Sequence, residues 1–240
     1  MCSLQADEMH NDSSTDPMKP SAVLFDLDNT LHDRDLGLSS FVSWQFFARG
    51  LGDRAASHSQ WLQRFVDLDN GGKVWKDVVY SQLCQEFELS PDPADLLVEY
   101  EERFFEHVHS HEGLREMLSE LKSQGWKTGI VTNGRPVFQR RTISALGIEG
   151  LVDTIVVSGE CGLRKPDPAI FQLALSELGC EVKNSWFVGD DPVADIEGAK
   201  AVGFRTILFG TGQRRTTAAA DFQVNQLSQV VNVLLRQAGA

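Results

Sequence analysis

Short apolar stretches alternate with longer amphipathic stretches along most of the chain. The short stretches suit strands that are buried on both faces, and each ends in small or polar residues: 22–25, 126–132, 151–159, 185–190 and 204–210. The longer ones repeat apolar residues at three- and four-residue spacing and reach a glycine where a helix would end: 113–125, 135–147, 167–179 and 191–203. Strands that alternate with such helices form βαβ units. The pattern therefore predicts an α/β fold, a Rossmann-like doubly wound parallel sheet with helices on both faces.

One long segment interrupts this alternation. Residues 33–109 contain no clear strand-like run, and instead show four stretches with helical spacing: 38–50, 59–68, 73–88 and 94–108. Because a segment of this length is too long for a loop inside a compact domain, we expect an inserted α-helical cap domain whose two ends lie close together. Ligands of open α/β sheets bind beyond the carboxyl ends of the strands, so a cap inserted there is placed to act as a lid.

The other boundaries follow from local composition. Residues 1–20 are polar, rich in serine and aspartate, and lack the apolar region of a signal peptide, which predicts a disordered tail. Residues 21–32 and 110–240 would form the α/β core. Within it, residues 222–224 are a candidate edge strand and residues 227–237 a final helix.

Charge and cysteine content argue against several classes of partner. A formal charge of −12 over 240 residues disfavours binding to nucleic acid or to an anionic membrane, both of which need basic patches. No apolar run approaches the roughly 18 residues of a membrane-spanning helix. The 4 cysteines lie at no metal-like or disulfide-like spacing, which is typical of a reducing cytosol. We expect a cytoplasmic monomer or homodimer, in which an anionic substrate would need local positive charge or a metal ion.

Acidic residues follow two of the predicted strands. Asp26 and Asp28 come directly after the first one, in AVLFDLDNTL, and two like charges about 4 Å apart repel by on the order of 4 kcal/mol near a protein surface. Asp190, Asp191 and Asp195 follow the strand at residues 185–190. Taken alone, each group also suits a turn or a helix cap. A hard cation such as Mg²⁺, held by carboxylates from both strand ends, would offset the repulsion.

Four short motifs stand in a characteristic order along the chain. They are DLDNT at 26–30, TNG at 132–134, RKPDP at 164–168 and GDDPVAD at 189–195. In order and spacing they resemble the four motifs of the haloacid dehalogenase superfamily, and the resemblance spans about residues 21–212. With its helical insertion, the chain is similar to the capped phosphatases of that superfamily, the group of nucleotide 5′-phosphatases, FMN phosphatase and N-acylneuraminate-9-phosphatase.

The resemblance implies a role for each motif. Asp26 would attack phosphorus to form an aspartyl phosphate, and Asp28 would act as general acid and base. The implied catalytic residues are Asp26, Asp28, Thr132 and Lys165. The implied ligands of the substrate phosphate are the Thr132 hydroxyl, the backbone amides of Asn133 and Gly134, and Lys165.

The same resemblance implies a bound Mg²⁺ ion. Its expected ligands are Asp26, the backbone oxygen of Asp28, Asp190 and Asp191. Direct coordination by Asp191 stays open, and Asp195 is expected to support the ligands rather than to bind the metal.

These motifs predict a Mg²⁺-dependent phosphatase that hydrolyses a small phosphorylated metabolite, a phosphate monoester. A phosphomutase would use the same core residues and stays an alternative. A haloacid dehalogenase is less favoured, because dehalogenases lack the second acid of the first motif and the acids of the fourth. Phosphonate cleavage would need a lysine in apolar surroundings within the cap, and neither Lys73 nor Lys76 shows such a setting in the sequence. A binding protein without catalysis has no support. The sequence leaves the physiological substrate open.

Overall fold

The structure is a computed structural model that describes residues 22–53, 57–88, 91–210 and 219–238. The tail predicted over residues 1–20 lies outside the described residues.

A parallel sheet forms the centre of the core, as the alternating pattern predicts. Within the described residues it has six strands: β1 (Ala22–Phe25), β2 (Lys127–Thr132), β3 (Thr154–Val157), β4 (Trp186–Gly189), β5 (Arg205–Phe209) and β6 (Phe222–Val224). The strands pair in parallel in the order β3-β2-β1-β4-β5-β6. Because β1 lies between β2 and β4, the ends of the first, second and fourth strands open onto one place.

Helices cover both faces of this sheet, which confirms the predicted doubly wound fold. The core helices are α5 (Leu114–Ser123), α6 (Pro136–Leu146), α7 (Ser158–Cys161), α8 (Pro168–Leu178), α9 (Gly198–Val202) and α10 (Leu227–Ala238). Side chains of β1 alternate between the two layers. Val23 and Phe25 pack in the layer of α5 and α10, and Leu24 packs in the layer of α8 and α9.

The segment after β4 departs from the single helix that its spacing predicts. A π-helix, Pro192–Glu197, precedes the short helix α9. Its wide turn is visible at Ile196, whose N–H lies 3.3 Å from the carbonyl oxygen of Asp191. Inserted π turns are frequent at functional sites, since they re-aim side chains that a regular helix would point elsewhere. Three-residue 3₁₀ turns, which the sequence does not predict, occur at Leu51–Asp53, Glu149–Leu151 and Val182–Asn184.

The insertion between β1 and β2 is helical, as expected. It contains α1 (Arg34–Ala48), α2 (His58–Asp69), α3 (Lys76–Glu86), α4 (Pro93–Arg103) and a 3₁₀ turn at Phe104–His107. These helices bury a cluster of their own, which includes Phe41, Trp61, Phe65 and Tyr80. Both ends of the insertion meet, because the N–H of Asp33 donates to the carbonyl oxygen of His109 at 2.8 Å. The exact domain boundaries stay a prediction.

Two further sequence expectations concern the described residues. No helix among them is long and apolar enough to cross a membrane. Cys84, Cys161 and Cys180 are free thiols.

We predict that replacing Gly129 by alanine destabilises the sheet by about 1–3 kcal/mol, because the interior has no room for a methyl group there. A Cβ atom at Gly129 would lie 2.6 Å from Cγ2 of Thr154 and 2.7 Å from Cδ2 of Leu24. Urea unfolding measures the change. The matched control is Gly150→Ala, since a Cβ there would meet nothing within 4 Å. Equal losses for both variants would contradict the tight packing of β2.

Candidate active site

Predicted site residues of the first, second and fourth motifs lie at neighbouring strand ends. Asp26 follows β1, Thr132 ends β2 and Asp190 follows β4. The N–H of Asp26 donates to the carbonyl oxygen of Val188 at 2.9 Å, which extends the pairing of β1 with β4 up to the acids. Sheet topology therefore brings together residues that are more than a hundred positions apart in the chain.

Three carboxylates converge at this edge of the sheet. Oxygen atoms of Asp26, Asp190 and Asp195 all lie within 4.8 Å of one another. Asp26 and Asp195 are buried and Asp190 is half-buried. A donor set made only of carboxylate oxygens suits a hard divalent cation such as Mg²⁺, and disfavours the softer transition metals that select nitrogen or sulfur. The chemistry of these residues thus fits the metal that the motifs imply.

Asp195 has a more central position in this cluster than the sequence indicates. Its Oδ2 atom accepts a hydrogen bond from the N–H of Asp191 at 3.0 Å, which turns the side chain back toward β4. Gly189 makes this possible, because a Cβ atom at that position would overlap with the Asp195 carboxylate. Asp191, in contrast, caps the π-helix: its Oδ1 accepts from the N–H groups of Val193 and Ala194 at 2.9 Å each.

Lys165 supplies the positive charge of the cluster. Its Nζ atom lies 2.6 Å from Oδ1 of Asp26 and 2.7 Å from Oδ1 of Asp195, and the side chain is buried. Burial acts to lower the pKa of Lys165, but the charges of Asp195 and Asp26 outweigh it and raise that pKa above its usual value. For Asp26, burial raises the pKa well above its usual value; Lys165 opposes the shift, while Asp195 and Asp190 add to it. The positive charge of the Lys165 ammonium group therefore offsets part of the repulsion among the three neighbouring carboxylates.

Asp28 lies in a separate hydrogen-bond network. His32 Nδ1 is 2.9 Å from its Oδ1, and Gln139 Nε2 donates to its Oδ2 at 3.0 Å. Burial acts to raise the pKa of Asp28, but the hydrogen bond from His32 and the charges of His32 and Arg34 outweigh it and lower the pKa to about 2. The two acids of the first motif are therefore tuned in opposite directions, which is the arrangement expected of groups with different chemical tasks.

A tight turn returns His32 to Asp28. Asn29 adopts a left-handed backbone with φ of 60°, a conformation that asparagine tolerates better than most residues. The carbonyl oxygen of Leu27 then accepts from the N–H of Leu31 at 3.0 Å and from that of His32 at 2.9 Å. Sequence analysis missed His32, although its position four residues after Asp28 is a local signal.

In the second motif, Thr132 is able to donate a hydrogen bond to a ligand, whereas Asn133 and Gly134 make hydrogen bonds to neighbouring segments of the protein. Thr132 Oγ1 accepts from Gln139 Nε2 at 2.7 Å, so its own hydroxyl proton is left to donate. The Asn133 side chain holds the backbone of Lys165 at both ends, accepting from its N–H at 2.9 Å and donating to its carbonyl at 3.0 Å. The amide of Gly134 donates to Ser158 Oγ at 3.0 Å, so binding phosphate through it would require this bond to open.

A cavity of about 870 Å³ joins these residues to the cap. Asp26, Asp28 and Lys165 line its floor, and the cap contributes Arg34, Trp75, Lys76 and Tyr100. Lys76 is buried, but its surroundings are charged rather than apolar, as expected for the cap lysines. Its side chain is 2% exposed, and Nζ donates to the carboxylate of Asp69; the same atom lies 5.3 Å from the ring centroid of Tyr100 and 5.8 Å from that of Trp75.

The fold and the site can now be compared with known proteins. Residues 23–209 match the family model described as haloacid dehalogenase-like hydrolase. The chain belongs to this family. This confirms the family indicated by the four motifs.

Among relatives of established function, one is a ribulose-1,5-bisphosphate 5-phosphatase of Halopiger xanaduensis. It is 33% identical over 84% of this chain and 90% of its own length. A solved HAD phosphatase of Thermococcus onnurineus is 26% identical, with a TM-score of 0.64 over 89% of this chain and 97% of its own. A HAD hydrolase of Bacillus subtilis, solved with bound magnesium, superposes with a TM-score of 0.74 over 90% of this chain and 99% of its own at 21% identity, which shows a shared fold. The predicted enzyme class, a hydrolase with phosphatase relatives, is confirmed.

We predict that Lys165→Met lowers the free energy of unfolding by about 3 kcal/mol, because it leaves buried Asp26 and Asp195 without their counter-charge. Urea unfolding in the presence of a chelator measures this without any contribution from a metal. Lys200→Met is the control: its partner is Asp221 at 2.8 Å on the surface, where such a pair contributes at most about 1 kcal/mol. A loss at Lys165 no larger than at Lys200 would contradict the role of the ammonium group.

Proposed function

We propose that the protein is a Mg²⁺-dependent phosphatase that hydrolyses a small phosphorylated metabolite through an aspartyl-phosphate intermediate. One observation carries the proposal. A buried carboxylate, Asp26, lies against the Lys165 ammonium inside a group of acids, while Asp28 next to it is held in a different network. A nucleophile and a proton carrier are thus present side by side, with separate environments.

In the first step, a carboxylate oxygen of Asp26 forms a bond to phosphorus, and the bond from phosphorus to the ester oxygen breaks. Because its low pKa leaves Asp28 ionised at rest, a proton moves from His32 Nδ1 to Asp28, 2.9 Å away, and from Asp28 to the departing alkoxide; the proton taken from water in the second step restores the pair. The Thr132 hydroxyl and the Lys165 ammonium bind phosphoryl oxygens, where negative charge accumulates. An alcohol leaves, and Asp26 carries the phosphoryl group.

In the second step, Asp28 accepts a proton from water, whose oxygen attacks phosphorus and releases Asp26 and inorganic phosphate. Asp26, Asp190 and Asp195, together with the backbone oxygen of Asp28, would hold Mg²⁺. Direct coordination by Asp191 stays a prediction, since one of its oxygens caps the π-helix. When bound, the ion supplies positive charge that neutralises the phosphoryl oxygens.

The relatives support this reaction over its alternatives. The relative from Halopiger that is 33% identical bears a phosphatase name. A dehalogenase is disfavoured, because the second acid of the first motif and the acids of the fourth are both present at the site. A phosphomutase would pass the phosphoryl group to a sugar hydroxyl instead of to water, and capture of the phosphoenzyme by a sugar phosphate would reveal it. A cytoplasmic location stays a prediction.

We predict that Asp26→Asn abolishes phosphate release from p-nitrophenyl phosphate, by more than about 10³-fold in kcat, because an amide cannot form the phosphoenzyme. Activity of the unmodified protein should disappear with EDTA and return with Mg²⁺. Asp95→Asn, at an exposed position in the first turn of α4, is the control and should keep full activity. Metal-dependent turnover that persists in Asp26→Asn would overturn the proposal.

We predict that Gln139→Met lowers kcat by about 10–100-fold and changes KM less than about twofold. Gln139 Nε2 donates to both Asp28 and Thr132, so its loss should misplace groups that act in the transition state. Gln63→Met is the matched control, because Gln63 makes a similar bond to Asp67, 2.9 Å long, on the exposed face of α2. A rise in KM at constant kcat would show that Gln139 binds substrate instead of positioning Asp28.

A further inference from the structure

A buried ion cluster lies in the cap where three of its helices meet. Arg34 begins α1, Asp69 ends α2 and Lys76 begins α3. Arg34 Nη2 donates to both carboxylate oxygens of Asp69 at 2.9 Å, and Lys76 Nζ donates to Asp69 Oδ1. The exposed fractions are 9% for Arg34, 1% for Asp69 and 2% for Lys76. Two cations therefore share a single anion away from bulk water.

The acceptor capacity of Asp69 is already used. Oδ1 accepts from Arg34 and Lys76, while Oδ2 accepts from Arg34 and from the N–H of Gly72 at 2.9 Å. A carboxylate offers about four lone-pair positions, so no further donor can be satisfied there. Within the described residues, the side-chain hydrogen bonds of Arg34 all come from Nη2. The N–H groups of Nε and Nη1 make no hydrogen bond to protein among the described residues and are not sealed from solvent, so water or a ligand in the cavity can accept from them.

The net charge of the cluster points to the nature of that acceptor. Two cations and one carboxylate leave one excess positive charge in the cluster, which the charge of Asp28 partly offsets. Both Arg34 and Lys76 line the cavity that also contains Asp26 and Asp28. An anion that enters this cavity could accept from both cations and offset their excess charge in one place.

Arg34 and Lys76 line the same cavity as Asp28. The charge of Arg34 contributes to the lowered pKa of Asp28, and the charge of Asp28 acts in turn on Arg34 and Lys76. Asp28 is the residue that would protonate the leaving oxygen. The atoms attached to that oxygen would therefore extend toward the cap cations.

We propose that Arg34 and Lys76, held in place by Asp69, bind a second anionic group on the alcohol part of the substrate, either a carboxylate or a phosphate. This inference rests on the proposed phosphatase function and narrows it to esters that carry two anionic groups. It also accounts for how a chain of net charge −12 admits such a substrate: the local excess of positive charge is on the wall of the cavity.

The experiment compares matched pairs of phosphate esters under Mg²⁺ at pH 7. One pair is 2-phosphoglycolate and 2-hydroxyethyl phosphate; the other is 1,3-propanediol bisphosphate and 3-hydroxypropyl phosphate. We expect kcat/KM to favour the charged member of at least one pair by about 10-fold or more, the effect of one hydrogen bond between charged groups. The pair that shows the preference identifies carboxylate or phosphate. Equal kcat/KM within both pairs would overturn the inference.

Variants locate the preference in the cluster. Lys76→Met should reduce the ratio within the preferred pair at least fivefold, while hydrolysis of the uncharged member continues. Lys122→Met removes the same charge from an exposed position in the last turn of α5, outside the lining of the cavity, and should leave the ratio within twofold. A ratio that falls equally in both variants, or in neither, would contradict binding by Lys76.

A second measurement needs no variant. Burial and the charge of Arg34 outweigh the opposing charge of Asp69 and lower the pKa of Lys76 to about 8. The other ionisable groups that face it, Arg34, Asp69, Asp28 and Tyr100, have pKa values shifted away from this range. The ratio should therefore fall as the pH rises from 7 to 9.5, since Lys76 loses its proton. A ratio independent of pH would count against the inference even if Lys76→Met failed to fold.

The two proposals fail in different ways. If neither member of either pair is hydrolysed in a manner that depends on Asp26 and Mg²⁺, the phosphatase function itself is wrong. If both members are hydrolysed equally well, the phosphatase function stands and only the anion-binding role of the cap is lost.

Discussion

The site depends on one buried ammonium group. Asp26 and Asp195 are both within 2.7 Å of Lys165 Nζ, and the nearby Asp190 adds further negative charge. Without a cation, like charges at such distances would either force protonation of the acids or open the structure. Because Lys165 alone cannot neutralise three carboxylates, the cluster keeps an excess of negative charge. That excess is what a divalent cation would bind to.

Small residues and an irregular helix allow these groups to approach each other. Gly189 leaves the space that the Asp195 carboxylate occupies, and Gly134 leaves room for the side chain of Gln139, whose Cγ would lie 2.8 Å from a Cβ atom there. The π-helical turn that Asp191 caps brings Asp195 back toward β4. The positions of the acidic side chains therefore depend on the space left by these glycines as well as on the interactions among the carboxylates.

The sequence predicts the parts of this arrangement that depend on local patterns. Strands and helices follow from hydrophobic spacing, and the insertion follows from its length and its helical stretches. Asp26, Asp28, Lys165 and Asp190 are predicted as site residues because their motifs have a characteristic order. The ion pair of Lys165 with Asp26 joins residues that are 139 positions apart, and only the sheet topology brings them into contact.

Contacts between residues that are far apart in the chain leave no pattern in the local sequence and are not predicted from it. Gln139 looks like any polar residue of an amphipathic helix, yet it reaches Asp28 across 111 positions. The burial of Lys76 has no signal in the sequence. It arises from the packing of α2 against α3 and from the position of Asp69 at the end of α2, neither of which spacing alone can fix. The π-helix that carries Asp195 is likewise not predicted by spacing, and it is part of what turns this side chain back toward β4.

A short chain segment leads from Asp26, at the end of the core strand β1, to Arg34, which begins the first cap helix. A tight turn at Asn29 returns His32 to Asp28, and two residues later Arg34 begins α1. A short chain segment thus joins Asp28 to the backbone of Arg34. Lys76, in contrast, is placed by packing between cap helices and by Asp69. Both cations belong to the cap, and the carboxylate of Asp69 joins the guanidinium of Arg34 to the ammonium of Lys76.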